Sequence, residues 1–353
     1  MTNPAARKIA ETAASIGRPV RLMEVCGTHT VAIFRHGIRS LLPENVTLLS
    51  GPGCPVCVTA AGDVEAALSL ARRDDIVLAT FGDMMRVPGK KESLQDAKAG
   101  GADVRIVYSP LDALLTAING DREVVFFATG FETTSPLVAA TLHEANRKKV
   151  ENFSIFSVHK LVPPALQALL ASGEVQVDGF ILPGHVCTVT GSRPYAFLAE
   201  EFGKPAVVTG FNADEILEGV VMLLDQIAEG KPRVDIQYKS VVREEGNTKA
   251  QAMLHEYFEP EDAAWRGIGV IPGSGLKLRP RFANRDAVER FSPERPEVKE
   301  PKACQCGEVL KGIKLPPECK LFGKACTPET PVGACMVSTE GSCAAYYKYQ
   351  SSE

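Results

Sequence analysis

The 353-residue chain lacks the features that mark membrane, secreted and nucleic-acid-binding proteins. Its longest apolar runs, such as residues 220–224, are far shorter than the ~20 residues that cross a bilayer. The first ten residues carry no apolar core of a secretory signal. The 39 basic and 43 acidic side chains give a formal net charge of −4, so no basic excess favours nucleic acid or an anionic membrane as a partner. We therefore expect a cytoplasmic protein in a reducing compartment, with neither kind of partner.

Several cofactor motifs are also missing. There is no G-x-x-x-x-G-K-[ST] phosphate-binding loop, and Gly273-Ser-Gly275 lacks the third glycine of a dinucleotide fingerprint. The cysteine-rich tail contains neither two close C-x₂₋₄-C pairs, which are typical of structural zinc, nor the ferredoxin run C-x₂-C-x₂-C. The common nucleotide, zinc and ferredoxin sites are therefore not recognisable by motif.

What the chain does contain is cysteine, distributed unevenly. Of ten cysteines, six lie in the last 50 residues: Cys304, Cys306, Cys319, Cys326, Cys335 and Cys343. In a reducing compartment such a tail indicates metal or redox chemistry rather than structural disulfides. Four thiolates suffice for an iron–sulfur cluster, which we favour over zinc, with disulfides or inert thiols as further alternatives.

Turn residues separate four of the tail cysteines, and loops of this kind can wrap a cluster. These four (Cys319, Cys326, Cys335 and Cys343) are the candidate cluster ligands. Cys304 and Cys306 are then left as a thiol pair of undecided role, one of which is alternatively a ligand.

The first 240 residues alternate short apolar runs with amphipathic segments, a pattern that predicts βαβ units and parallel sheets. The predicted strands are residues 20–25, 46–49, 76–81, 104–108, 124–128, 154–158, 179–182 and 206–209. The predicted helices are residues 31–42, 63–72, 111–119, 136–147, 164–171, 194–202 and 214–228. We expect an α/β fold with two Rossmann-like domains, residues 1–120 and 121–235. A cysteine-rich region, residues 236–353, would follow, with the N-terminal helix as a candidate neighbour.

Two cysteine motifs each follow a predicted strand and precede a helix. Cys54 and Cys57 form a C-x-x-C motif within Gly-Pro-Gly-Cys-Pro-Val-Cys, which suits a dithiol–disulfide couple or a soft metal. Cys26, in Cys-Gly-Thr-His, would lie at a helix N-terminus close to His29, as a nucleophile with its base or as part of a metal site. If the two strands are neighbours, three thiols converge at one end of a sheet.

Two further loops carry charged residues with an ordinary structural interpretation. Glu132, in Gly-Phe-Glu-Thr-Thr, is a proton acceptor or, more commonly for such a residue, a helix cap. Asp83 and Arg86 lie three residues apart in one loop, where an ion pair is expected. Cys187 is expected to be packed rather than reactive.

These motifs, in this order, resemble the HypD family of [NiFe]-hydrogenase maturation proteins. The resemblance runs from about residue 23 to residue 349 and rests on the motifs at residues 26–29, 51–57, 81–89, 130–134 and 183–186 and in the tail at 321–347. It implies two α/β domains and a part that carries a [4Fe–4S] cluster held by Cys319, Cys326, Cys335 and Cys343.

The resemblance also implies a cytoplasmic assembly scaffold rather than a conventional turnover enzyme. Such proteins work with the small chaperone HypC, receive cyanide from HypE and build the Fe(CN)₂CO group of the hydrogenase. Carried over to this chain, Cys26 would hold the iron that carries CN and CO. Cys54 and Cys57 would bind that iron or exchange electrons, and His29 and Glu132 would assist protonation. The alternatives are a cluster-dependent thiol–disulfide oxidoreductase and a structural scaffold whose tail binds zinc.

Overall fold

A computed structural model describes residues 3–350 of the chain. The strands, in chain order, are β1 Val20–Glu24, β2 Val46–Ser50, β3 Ile76–Thr80, β4 Val104–Ile106, β5 Glu123–Ala128, β6 Phe153–Ser157, β7 Gly179–Pro183, β8 Ala206–Thr209, β9 Val234–Ile236, β10 Phe258–Trp265 and β11 Gly269–Leu278.

Helices connect almost all of these strands. In chain order they are α1 Pro4–Ile16, α2 Gly27–Arg35, α3 Pro55–Val58, α4 Ala61–Ala71, α5 Leu94–Ala99, α6 Pro110–Ile118, α7 Ser135–Arg147, α8 Val162–Ala171, α9 Gly184–Thr190, α10 Phe197–Glu200, α11 Ala213–Glu229, α12 Thr248–Tyr257, α13 Ala287–Phe291, α14 Cys306–Leu310, α15 Ala334–Val337 and α16 Ser342–Gln350. Short 3₁₀ helices occur at Ile38–Leu41, Gly82–Arg86, Arg193–Tyr195, Pro280–Arg285 and Pro316–Glu318. None of the helices within residues 3–350 has the length and apolar character needed to span a membrane.

The predicted α/β class is confirmed. Five strands form one parallel sheet in the order β2-β1-β7-β8-β9, and four form a second parallel sheet in the order β4-β3-β5-β6. Strands β3, β6, β7 and β8 are buried along their whole length, which explains their nearly continuous apolar sequences. The remaining two strands, β10 and β11, pair as an antiparallel hairpin.

The two sheets do not follow the predicted division of the chain at residue 120. The chain builds β1 and β2 of the first sheet, passes to the second sheet for β3 to β6, and returns to the first for β7 to β9. A boundary at residue 120 would separate β3 from β5, which are hydrogen-bonded neighbours. Alternating strands and helices specify which elements form, whereas the order of strands in a sheet depends on tertiary packing.

Helices cover both sheets. Helices α1, α2 and α11 pack on the outer face of the first sheet, and α6, α7 and α12 pack on that of the second. The N-terminal helix contacts α11, where Lys8 bonds Asp225 at 2.7 Å, and it is α2 that contacts the C-terminal helix α16. The helix predicted at residues 31–42 is observed as α2, which begins earlier, at Gly27, and ends at Arg35. It is shorter than predicted because Gly37 adopts a left-handed conformation (φ 60°) just after its end.

Candidate functional site

Cys26 lies where β1 ends and α2 begins. It is the N-cap residue of α2, as expected, and its side chain is only 8 % exposed. Burial raises the pKa of the Cys26 thiol to about 12. Its backbone N–H donates to the Glu24 carboxylate at 3.1 Å, and burial raises the pKa of Glu24 to about 7. The thiol is thus protonated at neutral pH, and it becomes a thiolate most readily beside a bound cation.

The Cys54 and Cys57 loop abuts the Cys26 loop. Strands β1 and β2 are adjacent, and the Gly27 N–H donates to the Gly53 carbonyl at 2.9 Å. A Cβ on Gly53 would lie 2.2 Å from the backbone nitrogen of Cys26, so only glycine permits this approach. The predicted convergence of the two cysteine loops at one end of a sheet is therefore confirmed.

Cys54 and Cys57 form a disulfide with a Cα–Cα distance of 5.3 Å. Cys54 caps the short helix α3, accepting a hydrogen bond from the Cys57 N–H at 3.2 Å. The two residues are 4 % and 0 % exposed. The disulfide is therefore buried in the protein interior.

His29 is held in place by the end of β8. Its Nε2 lies 2.9 Å from both the Gly210 carbonyl and the Thr209 hydroxyl, and its ring stacks on Phe211 at 4.6 Å. Phe211 also stacks on His185 at 3.9 Å. Burial lowers the pKa of His29 to about 4, so the ring is neutral at physiological pH. Its buried Nδ1 has no partner among the described residues.

Glu132 comes from the second sheet, after β5. One carboxylate oxygen accepts the Val162 N–H at 2.9 Å and so caps α8, in line with the capping interpretation. The other oxygen is buried without a partner among the described residues, and burial raises the pKa of Glu132 to about 7. Cys187 is fully buried, as expected. Burial is the main cause that raises the pKa of its thiol, and the charges of the nearby Glu132 and Cys26 raise the same pKa by less.

The six tail cysteines converge. All of them line one small cavity with Val309, Leu321, Phe322, Gly333 and Met336. The sulfurs of Cys306 and Cys335 lie 2.9 Å apart. A Cβ on Gly333 would lie 2.9 Å from the Cys304 sulfur, so this glycine admits the thiol.

This thiol-lined cavity suits a group held by several thiolates. Burial raises the pKa of Cys304 to about 12, and neighbouring thiols raise that of Cys335, as expected where sulfurs crowd together without a cation. Within residues 3–350 no three His, Cys, Asp or Glu side chains are positioned to hold one metal ion.

The tail is joined to the disulfide. The Cys57 sulfur lies 4.0 Å from the Ala334 carbonyl, one residue before Cys335, and α3 packs against α15. Asp83 and Arg86 do not pair with each other, contrary to expectation. Asp83 instead accepts from the Ser338 hydroxyl, and Arg86 donates to the carbonyls of residues 328 and 337, so both hold the tail.

Comparison with known proteins identifies the family. The HypD family, described as the hydrogenase formation hypA family, matches residues 1–350. The hydrogenase maturation factor HypD2 of Bradyrhizobium diazoefficiens is 49 % identical over 341 residues, which cover 94 % of this chain and 90 % of that protein. HypD of Escherichia coli is 48 % identical over 338 residues, covering 95 % and 91 %. The chain belongs to the HypD family.

Sequence reasoning missed two acidic residues in this HypD-family site. Glu24 is a charged residue that directly follows the apolar residues Leu22 and Met23 at the end of β1, and that contrast was a usable signal. Glu340 comes from the tail: it accepts from the Thr28 hydroxyl at 2.8 Å, and its charge raises the pKa of Cys26 after the larger effect of burial. No local pattern links Glu340 to Cys26, because 314 residues separate them.

Proposed function

We propose that this HypD-family protein is a scaffold on which the Fe(CN)₂CO group of [NiFe]-hydrogenase is assembled. The observation that carries the proposal is the continuous set of contacts from Cys26, through the abutting Cys54–Cys57 loop, to the tail beside Cys335. One arrangement thus combines an anchor, a two-electron couple and a thiol-rich cavity. The iron that carries CN and CO is the cargo, and Cys26 is its anchor, since thiolate suits a soft iron centre.

Cyanide delivery requires two electrons. We infer that the donor is a thiocyanate on HypE and that the chaperone HypC shares the iron, as the family resemblance implies. Reductive release follows R–S–CN + 2e⁻ + H⁺ → R–SH + CN⁻. The reduced Cys54 and Cys57 dithiol supplies both electrons and closes to the observed disulfide, releasing two protons. We propose that the carboxyl of Glu132, whose pKa burial raises to about 7, exchanges the proton.

A [4Fe–4S] cluster is the proposed resident cofactor. When bound, it supplies single electrons at low potential. We propose Cys319, Cys326, Cys335 and Cys343 as its ligands. The Cys306–Cys335 sulfur contact of 2.9 Å supports a second set, in which Cys304 replaces Cys335, because a thiol pair formed by Cys306 and Cys335 would leave Cys335 unavailable to iron.

The two ligand sets can be separated by matched variants. Cys304→Ser and Cys335→Ser are purified anaerobically, and iron, acid-labile sulfide and zinc are measured, with Cys187→Ser as the control. Loss of cluster in the Cys335 variant alone supports the first set, and loss in the Cys304 variant alone supports the second. Zinc without sulfide in the parent protein would refute the cluster.

Infrared spectroscopy tests the assembly role. Protein purified anaerobically with its partner should show CN and CO stretches, and Cys26→Ala should abolish them. Their absence from the parent, or their persistence in the Cys26 variant, would refute the anchor. The thiol–disulfide oxidoreductase alternative predicts instead that Cys26→Ala leaves disulfide reduction by Cys54 and Cys57 intact.

A further inference from the structure

A cavity of about 770 Å³ lies apart from the candidate residues described above. It is bounded by the carboxyl end of β6, the first turn of α4, the β10–β11 hairpin and residues 295–300. None of the proposed cluster ligands, the iron anchor, the disulfide cysteines, His29 or Glu132 belongs to its described lining. Its walls instead carry buried charged and polar groups that the proposed function does not use.

Lys160 is the most conspicuous of these groups. Lys160 is 2 % exposed. Its ammonium lies 3.7 Å from the nearest Asp63 oxygen, a distance longer than a hydrogen bond. The other Asp63 oxygen lies 3.5 Å from Nε of Arg295. Two cations therefore share one carboxylate, and neither is fully engaged. An ammonium has three donors to satisfy, which leaves Lys160 able to bind an anionic oxygen.

His159 lines the same cavity and carries an unpaired acceptor. The Ser157 hydroxyl donates to the Leu276 carbonyl at 2.6 Å, so it accepts from Nδ1–H of His159 at 3.0 Å. This hydrogen-bond chain leaves Nε2 of His159 as a lone-pair acceptor. The residue is 1 % exposed, and Nε2 has no partner among the described residues.

Arg266 adds a second unpaired donor. Its Nε bonds Glu300 at 2.8 Å and one terminal nitrogen bonds the Pro88 carbonyl at 3.1 Å. The other terminal nitrogen, Nη1, is buried without a partner among the described residues. Native proteins leave few buried polar groups unpaired, and several of them on one cavity indicate a ligand site.

We propose that this cavity binds a small carboxylic acid that carries a hydroxyl or amino donor beside its carboxylate, the 2-hydroxy-acid and 2-amino-acid class. The carboxylate meets the cationic donors Lys160 and Arg266, and the hydroxyl or amino hydrogen is donated to Nε2 of His159. Phosphate fits less well, because the His159 lone pair repels an anionic oxygen. The acidic side chains Glu261 and Glu300 on the wall also disfavour a second negative charge.

The single tryptophan of the chain reports directly on occupancy. Trp265 lies in the cavity wall and is 2 % exposed, so its emission can be titrated with L-lactate, L-alanine, acetate and inorganic phosphate. L-lactate or L-alanine should give a saturable change. Acetate, which lacks the second donor, should bind about tenfold more weakly, and phosphate more weakly still.

Matched variants locate the binding. Asparagine can retain the bond of Nδ1 to Ser157 but has no atom at Nε2, so His159→Asn should reduce the affinity for L-lactate to that for acetate. Lys160→Met should weaken both by about tenfold or more. Lys148→Met, at the exposed C-cap position of α7, should change nothing.

The proposal is overturned by any of three results in folded protein, as judged by circular dichroism. These are no saturable response to either acid, tighter binding of phosphate than of L-lactate, or an unchanged lactate-to-acetate ratio in His159→Asn. If Lys160→Met fails to fold, the lactate-to-acetate affinity ratio of His159→Asn still tests the proposal. The titration uses the protein alone, so its outcome is independent of iron assembly.

Discussion

Replacing Glu132 by glutamine should stabilise the protein at alkaline pH and not at acidic pH. Burial raises the pKa of this carboxyl from 4.5 to about 7, and only one of its oxygens has a partner among the described residues. The folded protein therefore binds a proton at Glu132 between pH 4.5 and 7 more tightly than the unfolded chain does. The contribution of Glu132 to stability is therefore fully present below pH 4.5 and is lost as the pH rises through 7.

The size of the effect follows from the shift. A pKa displaced from 4.5 to about 7 costs about 3 kcal/mol once the group is ionised, at about 1.4 kcal/mol per pKa unit. The glutamine side chain does not titrate, so the free-energy cost of burying its unpaired amide is the same at every pH. The stability of Glu132→Gln relative to the parent should therefore increase by about 2.5 kcal/mol between pH 5 and pH 8.

Urea unfolding of the anaerobic, iron-free protein at pH 5, 6, 7 and 8 measures this difference from the midpoints. Glu201→Gln, at the exposed end of α10, is the control and should show a constant difference. A Glu132→Gln difference that is also constant across this range would show that the Glu132 carboxyl is not ionising in the folded protein as described. The same variant should slow cyanide release if Glu132 exchanges a proton there.

Three further changes test the two cysteine loops. Gly53→Ala should destabilise the protein by about 1–3 kcal/mol, because the added Cβ overpacks against the backbone of Cys26, and it should lower iron loading. Gly82→Ala is the control and should lower the melting temperature little, because its Cβ would meet nothing closer than 3.6 Å. Glu340→Gln should lower the pKa of Cys26, which shifts its iodoacetamide alkylation, followed by peptide mass, to lower pH; an unchanged profile contradicts the contact. Because burial lowers the pKa of His29 to about 4, the contribution of His29 to the stability of the parent should be complete above pH 6.5. It should be lost as the pH falls through 4, by about 3 kcal/mol. His29→Gln should remove this loss, as urea midpoints between pH 4 and 7 would show.

The elements of the fold were predictable because burial leaves a direct mark on sequence. Strands β3 and β6 are covered on both faces, and their apolar runs coincide with the observed strands to within about a residue at either end. The helix expected at residues 31–42 shows the opposite case. Its apolar spacing continues past Gly37, but a left-handed residue ends α2 and turns the chain into a 3₁₀ helix. Backbone conformation overrode side-chain periodicity there.

The site was predictable only where its parts are local. Cys26 and the Cys54–Cys57 pair each follow a strand, and parallel strands bring such positions to one edge of a sheet. The partition of the tail cysteines was not predictable, because the contact of Cys306 with Cys335 joins two loops whose spacing carries no sign of it. Likewise, the cavity beside Lys160 draws its walls from four segments that are distant in sequence.

The burial of the disulfide bears on how it can be reduced. Cys54 and Cys57 are 4 % and 0 % exposed, so a thiol in solution has little access to either sulfur. A couple that is to cycle in such a position needs electrons that arrive through the protein. The Cys57 sulfur contacts the backbone of Ala334, 277 residues away in sequence and beside the thiol-lined cavity. Burial and this contact together support our proposal that the tail supplies the electrons, while the chemistry on the cargo takes place at Cys26, on the neighbouring strand.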